Sequence, residues 1–295
     1  MNTHDEPETH HRPGPAADRC LAAVVVAATA LVAGCASAPP GATADRPAPG
    51  FTRIEPYGPL STVTVDVAGA PRRFLLDTGG GMTVFAPDLA ARSGCALGGP
   101  ITGFRMSGER LDAPRCEGAT VGLSGWSSRP HTVMVLDVNQ LLPADWPRLD
   151  GLLSLSSFRG HVVTLDLPGG RLVVDDQVPA RARSVRARFE HAMAGLSLVA
   201  FMASRHGQTD LWLEMDTGST SALIVNEDLA PALGLKPPVA AGAAEVDLRI
   251  DGGAPVRTPV ETRPMIFDGN IGQGTMRRWV LTFDLQNERV WVRTP

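Results

Sequence analysis

The sequence predicts an all-β protein assembled from two similar lobes, and three observations carry that expectation. Gly and Pro contribute 31 and 25 of 295 residues while aromatics make up only 5%, a composition that suits many short strands joined by turns better than long helices. The stretch Phe74-Leu-Leu-Asp-Thr-Gly79 returns as Leu213-Glu-Met-Asp-Thr-Gly218, which makes it an internal repeat and not an isolated tripeptide. Each copy closes a hairpin pattern about a glycine-containing turn, with apolar and polar residues alternating along Thr62–Val67 of the first.

In the first hairpin Thr62–Val67 turns at Ala68-Gly-Ala-Pro71 and returns through Leu76. In the second, Leu196–Met202 turns at Arg205-His-Gly-Gln208 and returns through Met215. Short helix signals follow in both copies, Pro87–Arg92 with Gly94 after it and Asn226–Leu233 with Gly234 after it, Asn226 being a good N-cap. Further on, Asp150-Gly-Leu-Leu matches Asp268-Gly-Asn-Ile, and the register then holds to the end: Asp166 and Asp284 each lie 16 positions beyond those aspartates. The expected lobes are residues 55–174 and 188–295, with the polar stretch 175–187 as a linker. Asp77 lies 73 positions before Asp150, and Asp216 lies 52 before Asp268, so lobe 1 carries 21 extra residues. That stretch holds Cys116, Trp126 and Trp146, and reads either as one wall of a cleft or as surface padding.

The N-terminus carries an address. Cys20–Ala33 is an uncharged apolar run behind Arg12 and Arg19, shorter than the roughly 20 residues of a comfortable membrane span and placed like the core of a signal peptide. It runs into Val32-Ala-Gly-Cys35, which resembles the bacterial lipobox. Residues 1–34 are therefore expected to be a lipoprotein signal peptide, and residues 35–54 a lipidated Cys35 followed by a disordered Ala/Pro-rich tether. A plain signal peptide or a short anchor is the other reading. The lipoprotein reading implies an exported protein, lipid-anchored to the cell envelope and facing the periplasm or cell surface. Cys95 and Cys116 are then the cysteines of the exported domain, a disulfide candidate in an oxidising compartment; two buried free thiols are the alternative.

Other chemistries find little support. A net charge of −4 without a dense Lys/Arg cluster gives no footprint for nucleic acid. His131, His161, His191 and His206 show no paired ligand spacing, so no metal site is expected. Gly269–Gly274 lacks the lysine of a phosphate loop, and no Gly-x-Ser-x-Gly elbow occurs. No cofactor is implied.

A hairpin ending in apolar-apolar-x-Asp-Thr-Gly, followed much later by Asp-Gly-apolar-apolar and a closing strand, resembles the retropepsin-like aspartic peptidases. With two copies in one chain, it resembles the bilobal pepsins in architecture. The resemblance implies two homologous β-barrel lobes about a pseudo-twofold axis, with Asp77 and Asp216 as paired catalytic carboxylates. One such motif alone is more often an aspartate capping its own turn. By the same resemblance, Thr78 and Thr217 link the two turns through hydroxyl bonds to the opposite backbone, and Gly79 and Gly218 let amides approach each carboxylate. Ser219 keeps the position after the second motif, whereas Gly80 departs from the family after the first and leaves one outer hydrogen bond to Asp77 without its donor. Ser154 stands where lobe 2 has Gly272, so the packing beneath that turn is expected to differ. Pepsins close a flap with a Tyr near its tip; the only Tyr is Tyr57, and the flap candidate is Thr102–Gly108, with Phe104 or Met106 to cover the cleft.

The implied activity is an aspartic endopeptidase acting on polypeptide, catalytically complete as a monomer and reaching the membrane only through its lipid. A catalytically inactive, peptidase-like module that binds peptides or proteins is the alternative, and self-release by cleavage of the linker is a third reading.

Overall fold

The computed structural model describes residues 50–178, 183–251 and 253–294. The signal peptide, Cys35 and most of the tether lie outside the described residues. The chain is already a strand at Thr52, where Thr52 and Ile54 turn inward on either side of the exposed Arg53. The expected tether boundary at residue 54 is therefore a few residues late.

The first half runs β1 (Thr52–Tyr57), β2 (Leu60–Val67), β3 (Ala70–Leu76), β4 (Val84–Phe85), α1 (Pro87–Arg92), β5 (Ala96–Phe104), β6 (Arg110–Ala119), β7 (Gly122–Leu123), β8 (Trp126–Ser127), β9 (His131–Val135), β10 (Gly151–Leu153), β11 (Val162–Asp166) and β12 (Arg171–Asp175). The second runs β13 (Arg183–Val185), β14 (Ala187–Glu190), β15 (Val199–His206), β16 (Thr209–Met215), β17 (Leu223–Asn226), β18 (Ala244–Ile250), β19 (Pro255–Arg263), β20 (Gly269–Ile271), α2 (Gln273–Met276), β21 (Val280–Asp284) and β22 (Arg289–Arg293).

Five strands of the second half repeat the spacing of five in the first. β15 and β16 begin and end 139 positions after β2 and β3, as Asp216 follows Asp77; β20, β21 and β22 begin and end 118 positions after β10, β11 and β12. The offset at the parallel pairs Val84–Met134 and Leu223–Val260 shows where the difference of 21 arises: it is 139 between Val84 and Leu223 but 126 between Met134 and Val260. Lobe 1 thus gains 13 residues before β9, in the region of the β5–β6 hairpin and β8, and 8 after it, in the segment that carries Trp146.

In lobe 2, the strands β15-β16-β20-β17-β19-β18 form a six-stranded barrel that closes where β18 pairs back onto β15 at Ser204–Ile250 and Arg205–Arg249. Lobe 1 repeats the order as β2-β3-β10-β4-β9-β6, and β7 meets β2 at the single pair Asp66–Gly122. Between the lobes lies a six-stranded antiparallel sheet, β13-β22-β21-β11-β12-β1, three strands from each half. Its central register is twofold symmetric: Val162 faces Asp284, Asp166 faces Val280, and the hydroxyls of Thr164 and Thr282 meet at 3.0 Å. The apolar faces of these strands bury Phe74, Phe158, Leu165, Phe283 and Val292 in one continuous core, each contributing about 1.5–3 kcal/mol by leaving water.

Three local expectations change. Asn226 ends strand β17 instead of capping a helix; its amide donates to Met265 O at 2.9 Å and its Oδ1 accepts from Asp228 N, and only a four-residue 3-10 turn, Ala230–Leu233, follows. β15 starts at Val199 and not at Leu196, since a 3-10 turn at Met193–Gly195 precedes it. The stretch 183–187, expected as linker, supplies β13 and the start of β14. Arg183 and Ser184 are exposed and Val185 buried, the pattern of a sheet-edge strand with one inward residue.

Candidate active site

Both Asp-Thr-Gly turns sit at the ends of strands whose last residues, Leu76 and Met215, are buried. Each aspartate is tied to the parallel strand beside it, Asp77 N donating to Leu153 O and Asp216 N to Ile271 O, both at 3.0 Å. Inside each turn the glycine amide returns to its own carboxylate, Gly79 N to Asp77 Oδ1 at 3.0 Å and Gly218 N to Asp216 Oδ1 at 2.7 Å.

The turns are then joined crosswise. Thr78 N donates to Thr217 Oγ1 at 3.1 Å and Thr217 N to Thr78 Oγ1 at 3.0 Å; the two hydroxyls in turn donate to Met215 O at 2.5 Å and Leu76 O at 2.8 Å. Both threonines are buried, so these four bonds form out of competition with water. Each glycine also faces the opposite acid: a Cβ on Gly79 would lie 2.5 Å from Asp216 Cγ, and one on Gly218 would lie 2.5 Å from Asp77 Oδ2. Only a hydrogen fits there.

Each carboxyl thus lies against the glycine of the opposite turn, which brings Asp77 and Asp216 side by side. Asp77 is held well above the usual carboxylate range, first by burial, then by the charge of Asp216, and further by the charge of Glu214; the amide of Gly79 pulls the other way. Two carboxyls this close share a proton, because the doubly ionised state stacks like charges in a low-dielectric site. Such a pair can take a proton from a water and give one to an oxygen in the same event.

Residues 63–156 match the aspartyl protease family. The chain therefore carries an aspartyl protease domain of retropepsin-like type over that stretch, which holds Asp77, its Thr-Gly turn and the Asp150–Leu153 segment; Asp216 lies beyond the match. No curated protein matches the chain.

Around the aspartyl protease domain the remaining candidate residues fall as follows. The β5–β6 hairpin ends in a turn at residues 105–109, where Arg105 N donates to Glu109 O and Gly108, at φ +83°, donates to Arg105 O. Phe104 is 65% exposed and Met106 half-buried. The carbonyl of Met106 accepts from Ile266 N at 3.0 Å, so the tip rests on the segment after β19 of the other lobe. A disulfide joins Cys95 to Cys116 at the root of this hairpin, with Cα atoms 5.5 Å apart. Tyr57 is no flap residue: it meets Trp146 edge to face and donates to Pro147 O at 2.6 Å, beside a cavity of about 190 Å³ that neither Asp77 nor Asp216 lines.

Beneath the turns the lobes differ. Ser154 Oγ bonds Ser156 Oγ at 2.7 Å and accepts from Ser156 N, within a buried hydroxyl cluster that includes Thr83 and Ser157. The counterpart Gly272 has no room for a side chain, since a Cβ would lie 2.8 Å from Ser219 O. Ser219 itself works through its backbone, its carbonyl accepting from Gln273 N at 2.9 Å. The outer oxygen of Asp216 is served instead by Asn270, whose Nδ2 donates to Asp216 Oδ2 at 2.7 Å and to Glu214 Oε2 at 3.2 Å. Sequence reasoning passed over both Glu214 and Asn270. The available signal was an acid two positions before the second aspartate, where the first copy has Leu75.

Proposed function

We propose that the protein is an aspartic endopeptidase that hydrolyses polypeptide with a water activated between Asp77 and Asp216, exported and held to the cell envelope by a lipid on Cys35. The observation that carries the reading is the crosswise threonine pairing, which presents two carboxyls to one point from two separate turns. The ionised carboxyl takes a proton from the water while the protonated one gives its proton to the carbonyl oxygen of the scissile bond, so the tetrahedral intermediate forms without metal or covalent adduct. Collapse of that intermediate returns a proton to the leaving nitrogen and restores the singly protonated pair. The two lobes supply one aspartate each, so a monomer is complete; we read them as homologous from the shared offsets of their elements.

The test is cleavage of an unbiased peptide library from about pH 3 to 8 by wild-type protein, Asp77→Asn and Asp216→Asn, with products read by mass spectrometry. Cuts made by the wild type and lost in both variants support the assignment. Cleavage that survives either substitution overturns it. A folded wild type that binds peptides and leaves them uncut at every pH favours the inactive binding module, a reading motivated by the missing donor at Gly80.

A further inference from the structure

The environments of the two aspartates are unequal. Beside Asp77, Leu75 on β3 and Leu152 on β10 are register partners; at the corresponding places beside Asp216 stand Glu214 on β16 and Asn270 on β20. An acid and an amide thus replace two leucines at buried positions, Glu214 being 5% and Asn270 0% exposed. Burying such groups is costly unless their polar atoms are used. The amide of Asn270 uses both hydrogens on carboxyl oxygens, one on Asp216 Oδ2 and one on Glu214 Oε2, while its Oδ1 finds no partner. A donor held at 2.7 Å favours the ionised form of Asp216. Asp77 has no such donor from the matching position, because Leu152 offers only methyl groups. Nor can residue 80 bring one: a Cβ there would lie 2.6 Å from Leu152 Cδ2 and 3.1 Å from Asp77 Oδ2.

We propose that Asn270 and Glu214 are positioning residues that leave Asp216 ionised and the shared proton on Asp77, so that Asp216 is the base toward water and Asp77 the acid toward the carbonyl oxygen. The roles rest on the peptidase reading; the proton assignment does not. In the addition step Asp216 takes one proton from water as the water oxygen bonds the carbonyl carbon. The π pair moves onto the carbonyl oxygen, which takes the proton of Asp77. Asp216 ends protonated and Asp77 ionised, with net charge unchanged.

Glu214 sets how far up the pH scale this state persists. The charged groups about it are Asp216 and Asp77, Glu190 on β14, which is ion-paired with Arg188 at 3.1 Å, and, past Ile224 on β17, Glu261 on β19, which accepts from Ser221 and Arg263. Glu214 is itself held protonated well above the usual carboxylate range, chiefly by burial and next by the charge of Asp216, and once it ionises its negative charge makes removal of the last dyad proton harder. The singly protonated pair therefore survives to higher pH than it would with a neutral group at that place.

The experiment is a carbon-13 NMR titration of side-chain carboxyls in the whole protein, wild type beside Asn270→Leu, Glu214→Gln and Glu214→Leu, with peptide cleavage measured over the same pH range. In the wild type the Asp216 carbon is expected to reach its ionised shift at lower pH than the Asp77 carbon. Asn270→Leu takes away the donor on Asp216 Oδ2 and is expected to shift the midpoints and erase that order. Glu214→Gln and Glu214→Leu both lower the upper midpoint, and Gln, which preserves the bond to Asn270, keeps the lower one in place. Asp77 ionising first in the wild type overturns the proposal, as does an Asn270→Leu protein with both midpoints unmoved. The wild-type titration decides the assignment even if a variant fails to fold. If the midpoints behave as stated and nothing is cleaved at any pH, the peptidase reading falls and the proton assignment stands.

Discussion

Thr78 and Thr217 each accept the other's backbone N–H on a side-chain hydroxyl, at 3.0 and 3.1 Å, although 139 positions separate them in the chain. The pairing makes the two turns one object: neither aspartate can shift without pulling the opposite strand end. Thr78→Val removes a hydroxyl that both accepts from Thr217 N and donates to Met215 O, and leaves those two buried groups without partners. A stability loss of about 2–4 kcal/mol is expected from two unsatisfied buried groups, read as a lowered urea midpoint. Thr78→Ser retains the hydroxyl and should recover most of the loss. Equal destabilisation by Val and Ser would mean that the methyl contact matters and the crosswise bonds do not.

Gly79 and Gly218 make a different demand on the same turns. With each Cα hydrogen directed at the opposite carboxyl, Gly218→Ala places a methyl 2.5 Å from Asp77 Oδ2, and relief requires the two acids to separate. Overpacking of this kind costs about 1–3 kcal/mol. The larger effect is expected on peptide cleavage, which depends on the distance between the acids, with kcat falling by more than tenfold. Full activity in Gly218→Ala would show that the turns have slack that the geometry does not suggest.

The strand framework was legible because it is written twice: alternation in Thr62–Val67 and the repeated Asp-Thr-Gly turn fixed both hairpins, and the fixed spacing from Asp150 and Asp268 fixed the closing strands. What escaped notice depends on contacts between strands distant in sequence. Asn270 meets Glu214 across the parallel pair β16–β20, and nothing in the local pattern of Gly269-Asn-Ile announces an amide aimed at a carboxylate. The edge strand β13 was read as linker because only Val185 of its three residues is buried. Asn226 carried a true capping preference, but β17 pairs with both β19 and β20 through that residue's neighbourhood, and tertiary pairing outweighed it.

Stability should depend on pH through the buried acids. Asp77 and Glu214 both hold protons well above the usual carboxylate range, each chiefly through burial and next through the charge of Asp216. A native state that binds protons the unfolded chain releases is stabilised fully below the unfolded carboxyl value of about 4, and loses that contribution as pH rises through the folded-state values. Urea midpoints are therefore expected to fall from mildly acidic toward neutral and alkaline pH. Glu214→Gln removes one of the two groups and should flatten the decline; an identical slope in wild type and variant would show that Glu214 does not titrate in that window.

The β5–β6 hairpin is fastened at both ends, by the Cys95–Cys116 disulfide at its root and by the bond from Ile266 N to Met106 O at its tip. The disulfide spans 21 positions, a loop whose closure contributes about 3 kcal/mol by restricting the unfolded chain. Its reduction should lower the urea midpoint correspondingly. The tip bond is a lone backbone bond outside any strand pairing, so the N–H of Ile266, a residue 60% exposed, is expected to exchange with solvent faster than the amides of β16, which lie inside the lobe 2 barrel. Hydrogen exchange by mass spectrometry, in oxidised and reduced protein, separates the two fastenings. If the root is what holds the hairpin in place, reduction will speed exchange across residues 96–119 and leave β16 unchanged; exchange that is insensitive to reduction would assign the hairpin's order to its strand pairing with β9 alone.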